Sequence, residues 1–134
     1  DCEFLNNSYG LTIQDNSNTT TTNSLFQNNS YYAIEIWNNN SYTIDNCEFL
    51  GNDRGFQQYN SNNQGTRVIR NSNFLNNSDW AIDGGSNSYG PNIYNSRISN
   101  NYYGIRNAKK VENCIVNNNA NDSEYSPARF YEQN

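Results

Sequence analysis

The chain has 134 residues, a net charge of −5, 34% hydrophobic residues and a mean hydropathy of −1.03, enough for one domain but polar for an ordinary core. Low charge content (16%) and high aromatic content (14%, with 11 Tyr) argue against plain disorder. The acidic balance argues against a nucleic-acid partner, no apolar run could span a membrane, the absence of His excludes imidazole chemistry, and three Cys cannot close a disulfide framework.

The first segment, Asp1-Cys2-Glu3-Phe4-Leu5-Asn6-Asn7, opens in mid-pattern, so the chain reads as a processed piece of a longer precursor. Five related segments follow. They begin at Asn23-Ser24-Leu25-Phe26, Asn46-Cys47-Glu48-Phe49, Asn71-Ser72-Asn73-Phe74, Asn95-Ser96-Arg97-Ile98 and Asn113-Cys114-Ile115-Val116. The period runs from 18 to 25 residues. Within each of the first five repeats a second block reads aromatic–small–apolar: Tyr9-Gly10-Leu11, Tyr32-Ala33-Ile34, Trp80-Ala81-Ile82 and Tyr103-Gly104-Ile105, with Arg54-Gly55-Phe56 as the deviant copy. A third apolar position falls at Thr21, Ile44, Ile69, Ile93 and Val111.

Alternations such as Leu11-x-Ile13 and Ile34-x-Ile36 have the period of a strand with one buried face. One turn cannot bury that face alone, but coils stacked at about 4.8 Å can. The expected fold is all-β: a right-handed parallel β-helix of about six coils, three short strands per coil, over residues 1–119. Residues 120–134 are expected to form a C-terminal tail or cap. Three inner rows follow, led by Phe4, Leu11 and Thr21. Two Asn rows mark the turns: Asn23, Asn46, Asn71, Asn95 and Asn113, and Asn7, Asn29, Asn52, Asn77, Asn101 and Asn118. Asn tolerates unusual turn dihedrals, and stacked amides hydrogen-bond as ladders.

With these repeats and Asn rows, the chain resembles the pectate-lyase-like superfamily of right-handed parallel β-helices. That fold carries lyases, hydrolases, tailspikes and adhesins, so function has to be argued from a site. The resemblance implies, for a lyase, an acidic cluster beside Arg or Lys, and for a polygalacturonase an Asp pair with a His-Gly. Neither set stands in this sequence, and no catalytic residues are assigned.

Glu3 and Glu48 share a row two coils apart, as do Glu35 and Asp83, at about 9.6 Å. They read as solvated carboxylates. Asp45–Arg70 and Asp83–Arg106 read as cross-coil ion pairs, each worth about 0.2–1 kcal/mol. Tyr9, Tyr32, Trp80 and Tyr103 form an aromatic row that either packs or meets ligand. Trp37, Tyr42, Tyr59 and Tyr89 fall in the connections of unequal length between second and third strands, and are the candidate carbohydrate contacts. Six sequons, at Asn6, Asn18, Asn28, Asn39, Asn76 and Asn121, are candidate N-glycosylation sites. Asp83-Gly84-Gly85 reads as a turn. Cys2, Cys47 and Cys114 share an inward row two and three coils apart, too far to pair within one chain.

The function expected is a non-enzymatic extracellular or cell-surface β-solenoid, structural or adhesive, stacking head-to-tail with itself or adjoining other domains of a longer chain. The alternative is a module that binds or cleaves polysaccharide. No cofactor or metal is expected, and glycans are the other expected partner.

Overall fold

Among the described residues, twelve Asn with φ between 49° and 59° set the corners of this fold. Asn occupies the left-handed region at less cost than most residues, so one Asn can turn the chain where a longer loop would otherwise be needed. The computed structural model describes residues 1–15, 17–38, 41–59, 65–85 and 89–121. The first coil comprises β1 (Glu3–Leu5), β2 (Tyr9–Ile13) and β3 (Asn18–Thr22). The second holds β4 (Leu25–Gln27), β5 (Tyr32–Trp37) and β6 (Ser41–Asp45). The third holds β7 (Glu48–Leu50), β8 (Arg54–Tyr59) and β9 (Arg67–Arg70). The fourth holds β10 (Asn73–Leu75), β11 (Trp80–Asp83) and β12 (Asn92–Tyr94). The fifth holds β13 (Arg97–Ser99), β14 (Tyr103–Arg106) and β15 (Lys110–Glu112), and β16 (Ile115–Asn117) opens a sixth.

Every strand pairs in parallel with its counterpart one coil away, which makes three sheets. Sheet A runs β1-β4-β7-β10-β13-β16, sheet B runs β2-β5-β8-β11-β14, and sheet C runs β3-β6-β9-β12-β15. The described residues thus form five complete coils and one strand of another, slightly fewer than the six expected.

The register reproduces all three expected inner rows. Phe4, Phe26, Phe49, Phe74, Ile98 and Val116 face one another along sheet A. Leu11, Ile34, Phe56, Ile82 and Ile105 do so along sheet B, and Thr21, Ile44, Ile69, Ile93 and Val111 along sheet C. The first four rings of the Phe row stack with centroids 4.6, 5.0 and 4.2 Å apart and planes within 4°. Stacking of like on like fixes the coil register, because a slip by one residue would turn each ring out to solvent.

The two Asn rows do different work. At the corner between sheets A and B the first residue of each pair takes the left-handed conformation: Asn6, Asn28, Gly51, Asn76, Asn100 and Asn118. The second points inward and builds an amide ladder. Asn29 Nδ2 donates to Asn52 Oδ1 (2.8 Å), Asn52 to Asn77 (3.2 Å), Asn77 to Asn101 (2.8 Å) and Asn101 to Asn119 (2.9 Å). The sixth member of this row is therefore Asn119, not Asn118, which sits one step earlier as a left-handed turn residue. The coil also continues past the expected boundary at 119. Ala120 and Asn121 donate their N–H groups to Asn101 and Tyr102. The rest of the expected tail, 122–134, lies outside the described residues.

At the corner between sheets C and A the row Asn23, Asn46, Asn71, Asn95 and Asn113 is a stack of exposed left-handed turns. One direct amide bond joins it, from Asn46 to Asn23 (2.8 Å), while Asn71 donates to Asp45 instead. The ladder at this corner is made by the residue after each Asn. The N–H of Cys2, Cys47 and Ser72 donates to the hydroxyl of Ser24, Ser72 and Ser96 on the next coil. Each of Ser24, Cys47, Ser72, Ser96 and Cys114 donates back to the carbonyl two residues before it. All three cysteines are unpaired, with Cys47 and Cys114 buried. Cys2 is exposed, contrary to the buried role expected for this row, because it lies on the outermost described coil.

Candidate functional site

The outward face of sheet B carries the densest chemistry among the described residues. Three rows cross it. The first is Tyr9, Tyr32, Arg54, Trp80 and Tyr103; the second is Thr12, Glu35, Gln57, Asp83 and Arg106; the third includes Trp37 and Tyr59. After the inward pair Ala33 and Ile34, inner and outer residues alternate, so Ile36 fills the lumen while Glu35 and Trp37 face out. An outward residue should be exposed, yet Glu35, Gln57 and Asp83 are 7%, 2% and 0% exposed.

Side chains from neighbouring coils bury them. Trp37 and Tyr59 are cross-strand neighbours whose rings stack at 4.4 Å. Tyr59 reaches back along the strand, and its hydroxyl shares a 2.8 Å hydrogen bond with that of Tyr32 on the previous coil. The two tyrosines form an arch across the second row, over Glu35 and Gln57. Burial, and then the bond to Tyr32, push the Tyr59 hydroxyl well above the ordinary tyrosine range, so it remains a neutral O–H group. Arg54, the deviation in the aromatic row, is a cation placed 5.7 Å from the Tyr32 ring centre. Its Nε donates to Asp79 Oδ2 and its Nη1 to Gln57 Oε1, each at 2.5 Å.

Further along the row, Trp80 is buried and stacks on Tyr103 at 4.4 Å. The Arg106 guanidinium lies 4.7 Å from the Trp80 ring centre and pairs with Asp83. Asp83 also accepts the Gly85 N–H at 2.9 Å, which makes Asp83-Gly84-Gly85 a turn, as expected. The aromatic row therefore both packs and presents itself: Trp80 is inside, and Tyr9 is 47% exposed.

Of the four expected carbohydrate contacts, Trp37 and Tyr59 come together on this shelf as the half-buried last residues of β5 and β8. Tyr89 lies apart, its carbonyl accepting from Gln58 Nε2 (3.0 Å) and Arg67 Nη1 (3.3 Å). Tyr42 corrects the loop reading. It is the second residue of β6, in register with Thr19 and Arg67, and is 2% exposed. Its ring meets Phe56 at 5.3 Å and its hydroxyl donates to Gln58 Oε1 at 2.7 Å inside the lumen. Strands β3 and β6 begin earlier than the repeat spacing suggested, so Tyr42 falls on an inward position.

The remaining expected positions are scattered. Asn6, Asn28 and Asn76 are exposed left-handed turn residues on one corner, with Ser8, Ser30 and Ser78 also exposed. Asn18 is the exposed first residue of β3, and Asn121 is half-buried and bridged to Tyr103. Asn39 lies outside the described residues. Glu3 and Glu48 are exposed on sheet A, where Leu25 separates them. The expected ion pairs form: Arg70 with Asp45 at 2.8 Å, and Arg106 with Asp83. A shallow depression of about 270 Å³ over sheet A, lined by Asn23, Leu25, Asn46 and Glu48, brings together no pair of titratable groups.

Glu35 and the Tyr32–Tyr59 arch were not singled out in advance as one site. The available signal was the second row itself, in which Glu, Gln and Asp occupy successive coils between two rows of aromatics.

The family model for the right-handed β-helix region matches residues 1–126. The chain belongs to that family. Neither the curated proteins nor the solved structures yielded a match to it. In this right-handed β-helix protein the chemistry thus rests on sheet B, and family membership carries the fold alone.

Proposed function

We propose that this β-helix protein is a non-enzymatic, extracellular or surface-borne solenoid module that adheres to carbohydrate through the outward face of sheet B. The observation that carries the reading is the aromatic shelf of Tyr32, Tyr59 and Trp37. Flat aromatic faces pack against the C–H faces of sugar rings. The neutral tyrosine hydroxyls beside them can exchange hydrogen bonds with sugar hydroxyls. Rigid strands, with rotamers held by stacking on the next coil, lower the ordering cost of binding.

Catalysis is disfavoured by the condition of the second carboxylate. Glu35 and Asp83 stand two coils apart, about 9.6 Å by strand spacing, near the range used by inverting glycosidases. Asp83, however, is fully buried, paired with Arg106 and bonded to the Gly85 N–H. A carboxylate so engaged cannot pass protons to a substrate.

Affinity electrophoresis in gels cast with neutral polysaccharide tests the reading, with reducing ends assayed in parallel. The expected outcome is retarded migration without new reducing ends, and loss of retardation in Trp37→Ala/Tyr59→Ala with the melting transition still cooperative. No retardation on any polysaccharide would sink it. Release of reducing ends would favour the degrading alternative.

A further inference from the structure

Among the described residues, Glu35 is the one acid in the three rows of sheet B without a cation partner. Its exposure is 7%. Its one hydrogen bond among the described residues is long, 3.4 Å from the Thr12 hydroxyl to Oε2. The two arginines of this face are committed elsewhere: Arg54 to Asp79 and Gln57, and Arg106 to Asp83. Beyond the third row Asp15 accepts from Asn38 (3.1 Å), which adds negative charge at the Trp37 end of the shelf. A carboxylate taken from water without a counter-charge is costly to hold. Nothing in the fold requires a carboxylate there, since the same row carries Gln57 one coil on and Thr12 one coil back. Such a group is a candidate for a binding role rather than a structural one.

Its surroundings indicate the ligand. The charge of Glu35 beneath the Tyr32–Tyr59 arch and the negative ring faces of the Trp37–Tyr59 shelf are two features that attract organic cations from the outer side. We propose that Glu35 makes this face selective for saccharides bearing a protonated amine, against those bearing carboxylates. The proposal rests on the carbohydrate reading above and names the substrate class of that same shelf. It runs against uronic-acid polymers, whose carboxylates would meet Glu35 with like charge.

The test uses three probes of equal length: an oligomer of glucosamine, its fully N-acetylated counterpart and an oligogalacturonate. Binding is measured by calorimetry near pH 5.5, where the glucosamine amines are protonated. The wild type should bind the glucosamine oligomer about tenfold more tightly than the N-acetylated one, and the uronate most weakly. Glu35→Gln should abolish the preference, chiefly by weakening binding of the glucosamine oligomer. Glu48→Gln removes the same charge from exposed sheet A and should leave the preference intact. A second readout needs no ligand: Glu35→Gln should melt at or above the wild-type temperature, because Gln already occupies this position on the next coil. A clear drop in stability would mean that the carboxylate is structurally paired, and would overturn the proposal. Binding of the N-acetylated oligomer with no amine preference, or with one that Glu48→Gln also removes, would overturn it while leaving the carbohydrate reading standing. Failure of all three probes to bind would remove both.

Discussion

Asn76 and Asn77 are adjacent and chemically identical, and the structure assigns them opposite roles. Asn76 is exposed with φ 57° and contributes a conformation. Asn77 is 2% exposed and contributes four side-chain hydrogen bonds. Its Nδ2 donates to Asn101 Oδ1 and to the Phe49 carbonyl, and its Oδ1 accepts from the backbone and side-chain nitrogens of Asn52. Truncation to Ala removes all four and strands the Asn52 N–H in a dry corner. At about 1 kcal/mol for each net bond, or 1–3 for each stranded group, Asn77→Ala should cost about 3–5 kcal/mol. Asn76→Gly loses no ladder bond and places Gly where it is most tolerant, as Gly51 already is one coil earlier, so its effect should stay within about 0.5 kcal/mol. Urea unfolding of the two variants, followed by far-ultraviolet circular dichroism, measures both. Equal losses, or a larger loss for Asn76→Gly, would refute the assignment of turn and ladder roles.

Phe49, sandwiched at 5.0 and 4.2 Å between two parallel rings, should cost about 3–5 kcal/mol on truncation to Ala, and an unchanged melting temperature would contradict the stacked row. Thiol labelling under native conditions should modify Cys2 quickly and spare Cys47 and Cys114 until unfolding, since burial pushes both inner thiols above their ordinary pKa; three equally fast labels would contradict the coil order. Asp45 has its pKa lowered, first by the hydrogen bond from Asn71 and then by that from Arg70. A depressed carboxylate stabilises the fold above its unfolded pKa, near 3.9, and that contribution disappears as pH falls through the lower folded value. Acid unfolding of Asp45→Asn should therefore show a shallower loss of stability below about pH 4 than the wild type, and parallel curves would count against the pairing.

The three inner rows were legible because each depends on an apolar or β-branched residue recurring at one place in a repeat, and stacking turns that recurrence directly into contact. The division of labour within each Asn pair was also written in the chain, though less visibly: Gly51-Asn52 stands where the other coils have Asn-Asn, and Gly substitutes for a dihedral but never for an amide. What could not be read was burial by reach. Glu35 alternates outward and belongs in solvent by strand period, and it is covered only because the Tyr59 side chain crosses to a tyrosine on another coil. Tyr42 failed for a related reason, since its side of the sheet depends on where β6 begins, and the spacing of the repeat leaves that start undefined.

The amide ladder also has a direction. Every rung from Asn29 to Asn101 sends its N–H toward the later coil and offers its carbonyl to the earlier one. The amide dipoles therefore add head to tail, giving the rod an electrical polarity along its axis that grows with each coil and lets each bond polarise the next. A rung in the middle should therefore be worth more than one at either end. Such a rod can lengthen only by taking in coils of the same orientation. A coil inserted in reverse would set donor against donor at one junction and acceptor against acceptor at the other.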